Sequence, residues 1–149
     1  MTVLNIALIG SDDLARSIAK AGEQRDVHTY VHKEKGENGP RILSIIRPAK
    51  MPERIRPFFN SLCAARVGLL EITDIDATFG EVLVGFSAAG IDRGIYVINP
   101  QEGKWIDEDQ VKAFISQAGL SAWQQSSTDS IELRTALYAL MDEVSADLE

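Results

Sequence analysis

Apolar residues along the chain gather into short, nearly unbroken runs separated by stretches with helical spacing. The first run, Val3–Ile9 (VLNIALI), stops at Gly10, as a strand covered on both faces does. A helix is predicted next. Asp12 or Asp13 caps it, Leu14, Ala15, Ile18, Ala19 and Ala21 form its apolar stripe, and Gly22 closes it. Val27–His32 and Arg41–Ile46 read as strands around Lys33–Pro40 (KEKGENGP). That connection is too short for a parallel crossover, so the two strands are expected to pair antiparallel. Glu53–Ala64 has a helical stripe of Ile55, Phe58, Phe59 and Leu62, with Pro57 delaying or kinking it. Further on, Val67–Ile72 and Gly94–Ile98 are buried strands, Leu120–Trp123 is a short sixth strand, and helices are predicted over Thr78–Ala89, Asp107–Ala118 and Ser130–Val144.

The order is β-α-β-β-α-β-α-β-α-β-α, an α/β architecture with a mostly parallel six-stranded sheet, one antiparallel hairpin strand and five helices. The hairpin separates it from a plain dinucleotide-binding fold, which places a helix between its second and third strands. A length of 149 residues suits one domain. The net charge of −7 argues against non-specific gripping of nucleic acid, which calls for a basic face. A single cysteine, Cys63, excludes an internal disulfide and fits a reducing cytosol. The apolar start is too short for a signal peptide or a membrane span, so a cytoplasmic protein without membrane attachment is expected.

In an open α/β sheet, ligands lie beyond the carboxyl ends of the strands. The first loop there is Gly10-Ser11-Asp12-Asp13-Leu14-Ala15-Arg16-Ser17. Against the phosphate-loop pattern G-x-x-x-x-G-K-[ST] it keeps Gly10 and Ser17, with Ala15 for the second Gly and Arg16 for the Lys. A methyl at Ala15 crowds the approach to a phosphate, and a planar guanidinium does not reproduce a lysine's compact charge. Taken by itself, the loop reads as an aspartate N-cap on an ordinary first helix.

The whole chain, over residues 3–144, resembles the GTP-binding domain of translational GTPases such as elongation factor Tu and the archaeal selenocysteine-specific elongation factor. Strand order, hairpin and motif positions agree, and each motif is altered. The family's first loop, roughly G-H-V-D-H-G-K-[ST], is matched at Gly10, Asp13 and Ser17. Its D-x-P-G-H segment, which serves magnesium, the γ-phosphate and the attacking water, falls on Arg47-Pro48-Ala49-Lys50-Met51, where none of those residues is kept. The guanine-reading N-K-x-D falls on Asn99-Pro100-Gln101-Glu102, and the loop before the last helix on Ser126-Ser127-Thr128. Where the family has a long switch loop, only Gly22–Asp26 is available.

The resemblance implies a three-layer P-loop NTPase fold of the G-domain type. The expectation is one degenerate G domain over residues 1–149, standing at the N-terminus of a longer factor. It would have lost GTP hydrolysis and most GTP binding and act as a scaffold or binding module. Degenerate nucleotide-binding positions are Gly10, Asp13, Ala15, Arg16, Ser17, Asn99, Glu102, Ser126 and Ser127. No cofactor is expected, unless GTP or GDP with magnesium where the site survives. The basic stretch Arg47, Lys50, Arg54 and Arg56 is a candidate contact for a translation component or RNA. One alternative is a GTPase that still holds guanine nucleotide through Arg16, Ser17, Asn99 and Glu102; another is a dinucleotide-binding enzyme with a helix at Lys33–Pro40.

Other groups read as structural. His28 and His32 share a strand face and lack companions at metal-ligand spacing, so an exposed polar face is expected. Asp74, Asp76 and Glu81 are expected to be helix-capping acids, Asp107, Glu108 and Asp109 first-turn acids, and Trp105 either a cover over the sheet edge, the favoured reading, or a partner anchor.

Overall fold

A computed structural model of the protein describes residues 2–24, 27–37, 39–48, 65–100 and 102–147. Its centre is β1 (Thr2–Ile9), flanked on both sides by parallel neighbours, β4 (Gly39–Pro48) and β5 (Val67–Ile72). All six residues of β5 are buried, which explains why its sequence is apolar without alternation. The sheet runs β2-β3-β4-β1-β5-β6-β7, with β2 (Lys20–Gln24), β3 (Val27–Gly36), β6 (Gly94–Ile98) and β7 (Gln124–Ser126) completing seven strands. Four neighbouring pairs are parallel; β2–β3 and β3–β4 are antiparallel.

Successive residues of β1 point to opposite faces and so serve two cores. Leu4, Ile6 and Leu8 pack with Leu14 and Ile18 of α1 (Asp12–Ile18) and with Leu133, Leu137 and Met141 of α4 (Ser130–Asp147). Ala7 belongs to the second cluster with Phe79, Leu83 and Phe86 of α2 (Ala77–Ala88) and with Val111 and Ile115 of α3 (Glu108–Gln117). Trp123 closes that second core over two facing glycines. Gly68 pairs with Gly94, and a methyl on Gly94 would lie 2.6 Å from the Gly68 carbonyl oxygen and 2.7 Å from the indole.

Four expectations are corrected. The first helix stops at Ile18 instead of Ala21: Ala19 turns extended (φ −151°, ψ 161°), and Lys20–Gln24 pairs antiparallel with β3. Ala19 and Ala21 fit a strand's period of two as well as a helical stripe, which is how the sequence misleads. The sheet therefore has seven strands where six were expected; β3 alone runs against the others, as the single antiparallel strand expected, and the added strand β2 lies at the edge beyond it. Leu120–Trp123 is a turn, with Leu120 N–H donating to Ile115 O and Trp123 N–H to Leu120 O; Leu120 and Trp123 are buried because that turn aims both at the core. The strand begins only at Gln124. Lys33–Pro40 is mostly strand, the hairpin closing between Gly36 and Gly39, so the helix required by a dinucleotide-binding fold is replaced by an antiparallel ladder. Four helices lie among the described residues, where five were expected; the helix expected over Glu53–Ala64 lies outside them. No helix among the described residues is long and apolar enough to cross a membrane.

Candidate functional site

The carboxyl ends of β1, β4, β5 and β6 bring together Gly10, Ser11, Arg47, Glu71 and Asn99. Only Gly10 and Ser11 separate β1 from α1. The N-cap is Ser11, not an aspartate: its Oγ accepts from Leu14 N–H at 3.1 Å, and Asp12 and Asp13 occupy the first turn beside it. Phosphate-loop positions Asp13, Ala15, Arg16 and Ser17 are thus all inside the helix. Ala15 is fully buried. Arg16 Nε donates to Asp12 Oδ2 at 2.6 Å, and Ser17 Oγ donates back to Leu14 O at 2.6 Å. The stretch that would wrap a phosphate is a helical turn.

The Ser11 N–H, an amide that could meet an anion at a helix start, donates instead to Glu71 Oε1 at 2.7 Å. The other oxygen, Glu71 Oε2, accepts from Asn99 Nδ2 at 2.8 Å. Glu71 is buried, its charge compensated by two hydrogen bonds, and it joins the ends of β1, β5 and β6. Gly10 is required by this contact. A Cβ there would fall 2.8 Å from Glu71 Cβ and 3.1 Å from Oε1.

A second cluster adjoins it. Tyr30, buried in β3, donates its hydroxyl to Asp12 Oδ1 at 2.6 Å and accepts from Arg47 Nε at 3.1 Å. Arg47 also donates to Gly10 O at 3.4 Å and to His28 Nδ1 at 2.6 Å. Because a guanidinium only donates, His28 Nδ1 is the acceptor, with the ring proton on Nε2. The Tyr30 hydrogen bond, then Arg16, holds the Asp12 carboxyl below its usual range. Burial, then the bond to Asp12, raises the Tyr30 hydroxyl.

Ser126 is at the end of β7, and Ser127 Oγ donates to Glu132, while Asp129 caps α4 by accepting from Ile131 N–H and Glu132 N–H. Glu102 is exposed in a turn, and the Asn99 amide donates to Glu71. Lys50, Arg54 and Arg56 lie outside the described residues. His28 and His32 are half-buried and engaged, not an exposed polar face: His32 Nδ1 is 2.8 Å from Tyr138 Oη. Trp105 covers nothing, being 83% exposed. Asp76 does cap α2, accepting from Phe79 N–H, and Asp74 pairs with Lys104 at 3.0 Å. No cluster of metal-ligating side chains occurs among the described residues.

Sequence reasoning passed over Ser11, Tyr30 and Glu71. Glu71 carried a signal, as the one acid in an otherwise apolar strand, VGLLEI.

No family profile matches the sequence. An uncharacterised protein of Methanocaldococcus jannaschii is 26% identical over 141 residues, 94% of this chain; the chain spans 43% of that protein's length. A bacterial selenocysteine-specific elongation factor structure superposes over 100% of this chain and 30% of its own, with a TM-score of 0.72 and 15% identity. At that identity the likeness concerns the fold: the chain has a translation-factor-like α/β fold.

Proposed function

We propose that this chain is a translation-factor-like G domain whose phosphate site has been filled by its own side chains, and that it works as a binding module, not as a GTPase. The Glu71 carboxylate on the Ser11 N–H carries the reading, because it occupies the amide that a phosphate would need. Three further features support it. The loop is wound into α1, Arg16 is turned back to Asp12, and Asn99 is spent on Glu71 in place of a guanine. Arg47 adds a fixed positive charge against Gly10 O, Tyr30 and His28 at a strand end where the resembling GTPases carry an acid for magnesium. A partner from the translation machinery or an RNA is the kind that the fold likeness favours.

Thermal denaturation with GTP, GDP and ATP, each with and without magnesium, tests the reading. A ligand at one hundred times its Kd stabilises a fold by about 2.7 kcal/mol, roughly 5–10 °C in a domain of this size. No shift with any nucleotide is expected. A guanine-specific, magnesium-dependent shift, with hydrolysis lost in Ser17→Ala, would establish a working GTPase instead.

A further inference from the structure

A second surface is unlike the rest of this acidic chain. Where α1 gives way to β2, a groove of about 830 Å³ is lined by Arg16, Lys20, Lys33 and Arg134, with no carboxylate lining it among the described residues. The chain as a whole carries a net charge of −7, and although Arg16 is paired with Asp12, Lys20, Lys33 and Arg134 have no carboxylate partner among the described residues, which makes a local reversal of sign. Lys20 and Lys33 are exposed. Arg134 is held in place by donating Nε to Ile18 O at 3.1 Å, beyond the last turn of α1. Ala19 and Ala21 form a small apolar wall on the face of Arg134, whereas Val31 lies on the opposite sheet face with its register partner Lys20 and with Lys33.

The groove also borders a sheet edge. Among the described residues β2 has one strand neighbour, β3, so its other side presents backbone N–H and C=O groups. Single-stranded nucleic acid is gripped by a basic track combined with aromatic platforms for the bases. This lining has the cations, but His32 is its one ring, and that ring is turned to Tyr138. An extended peptide matches these properties: its backbone pairs with β2, its apolar side chains meet Ala19 and Ala21 on one sheet face, and its carboxylates meet Lys20 and Lys33 on the other.

We infer that the β2 edge and its cationic groove dock an extended acidic peptide segment of a partner protein, which adds a strand beside Lys20–Gln24. Nucleotide plays no part, so this inference and the filled phosphate site fail separately. The test is fluorescence anisotropy of the intact chain with a labelled ten-residue peptide alternating glutamate and valine. The comparison probes are its lysine–valine counterpart, the glutamate–valine peptide N-methylated at alternate amides, and a ten-nucleotide oligouridine. Saturable binding of the acidic peptide alone is expected, weakening with salt. Lys20→Glu with Lys33→Glu should weaken it about tenfold or more, Lys20→Arg with Lys33→Arg should keep it, and N-methylation should abolish it. Circular dichroism confirms that the charge-reversed chain is folded. The inference is overturned by equal binding to the charge-reversed chain, by equal binding of the N-methylated peptide, by oligouridine binding in place of peptide, or by no binding at all. Sedimentation of the chain alone adds one more outcome against it: a dimer lost on charge reversal would make a second copy the occupant.

Discussion

Replacing Glu71 by glutamine tests the central claim about the site with little change of volume. Glu71 offers one oxygen to Ser11 N–H at 2.7 Å and the other to Asn99 Nδ2 at 2.8 Å. Glutamine keeps one acceptor and turns the other into an NH₂ group facing a donor. One hydrogen bond to a charged acceptor is lost, the survivor weakens with the charge, and a half-buried donor is left unpaired. Each of these contributes about 1–3 kcal/mol, and partial relaxation brings the expected sum to roughly 2–4 kcal/mol. At ~2–4 °C per kcal/mol, the melting temperature should fall by roughly 5–15 °C. Urea denaturation followed by circular dichroism gives the free energy directly, and an unchanged m value shows that the native and denatured states stay comparable. A cycle with Asn99→Ala should return a coupling of about 1–2 kcal/mol, because the two residues share one bond. If Glu71→Gln unfolds within about 0.5 kcal/mol of the parent, the carboxylate does not hold the β1–α1 turn and the account of the filled site is wrong.

Gly94→Ala should destabilise by about 1–3 kcal/mol or more, since its methyl meets the Gly68 carbonyl at 2.6 Å, where the obstacle is backbone; urea midpoints measure it. The Asp12 carboxyl is held below its usual 3.8, so its contribution is present above that value and lost as pH falls through the folded one. Tyr30→Phe removes the largest cause, and its stability should therefore decline less steeply below pH ~4 than the parent's, as followed by denaturation at stepped pH. Burial pushes the Tyr138 hydroxyl up to about 12, so the neutral form's contribution is complete below the ordinary value near 10 and lost as pH rises towards 12. Tyr138→Phe should flatten that alkaline decline, and ultraviolet absorption at 295 nm should lose its latest-ionising phenol.

The sheet's parallel strands were legible because burial on both faces makes a strand read as a bare apolar run, as in Val3–Ile9 and Val67–Ile72. The hairpin was legible from the shortness of its connection. The edge was not: Ala19, Lys20, Ala21 and Gly22 satisfy a helix's spacing and a strand's alternation equally, and only pairing with β3 decides between them. Trp123 misled in the same way, since a turn and a strand bury a Leu–Trp pair equally well. At the site, the altered loop was visible residue by residue, but its conformation depends on Glu71, 60 positions away from Ser11. No local pattern encodes such a pair. The buried acid in an apolar strand was the one trace it left.

The charges at this strand edge balance among themselves. The start of α1 attracts negative charge, and the chain supplies it through Glu71 on the Ser11 N–H and through Asp12 and Asp13 in the first turn. Arg47 returns positive charge through Tyr30 and Gly10 O. A free nucleotide would have to displace a carboxylate tethered to the same fold, whose effective concentration is of millimolar order or higher, and then sit beside two more. It would also have to unwind the first turn of α1 to gain amides now bonded within the helix. Glutamine at position 71 removes the tethered charge but neither the helical turn nor the aspartates. Nucleotide binding should therefore stay absent in Glu71→Gln even as the fold weakens. That outcome would trace the proposed lack of nucleotide binding to backbone conformation, deeper than any single side chain.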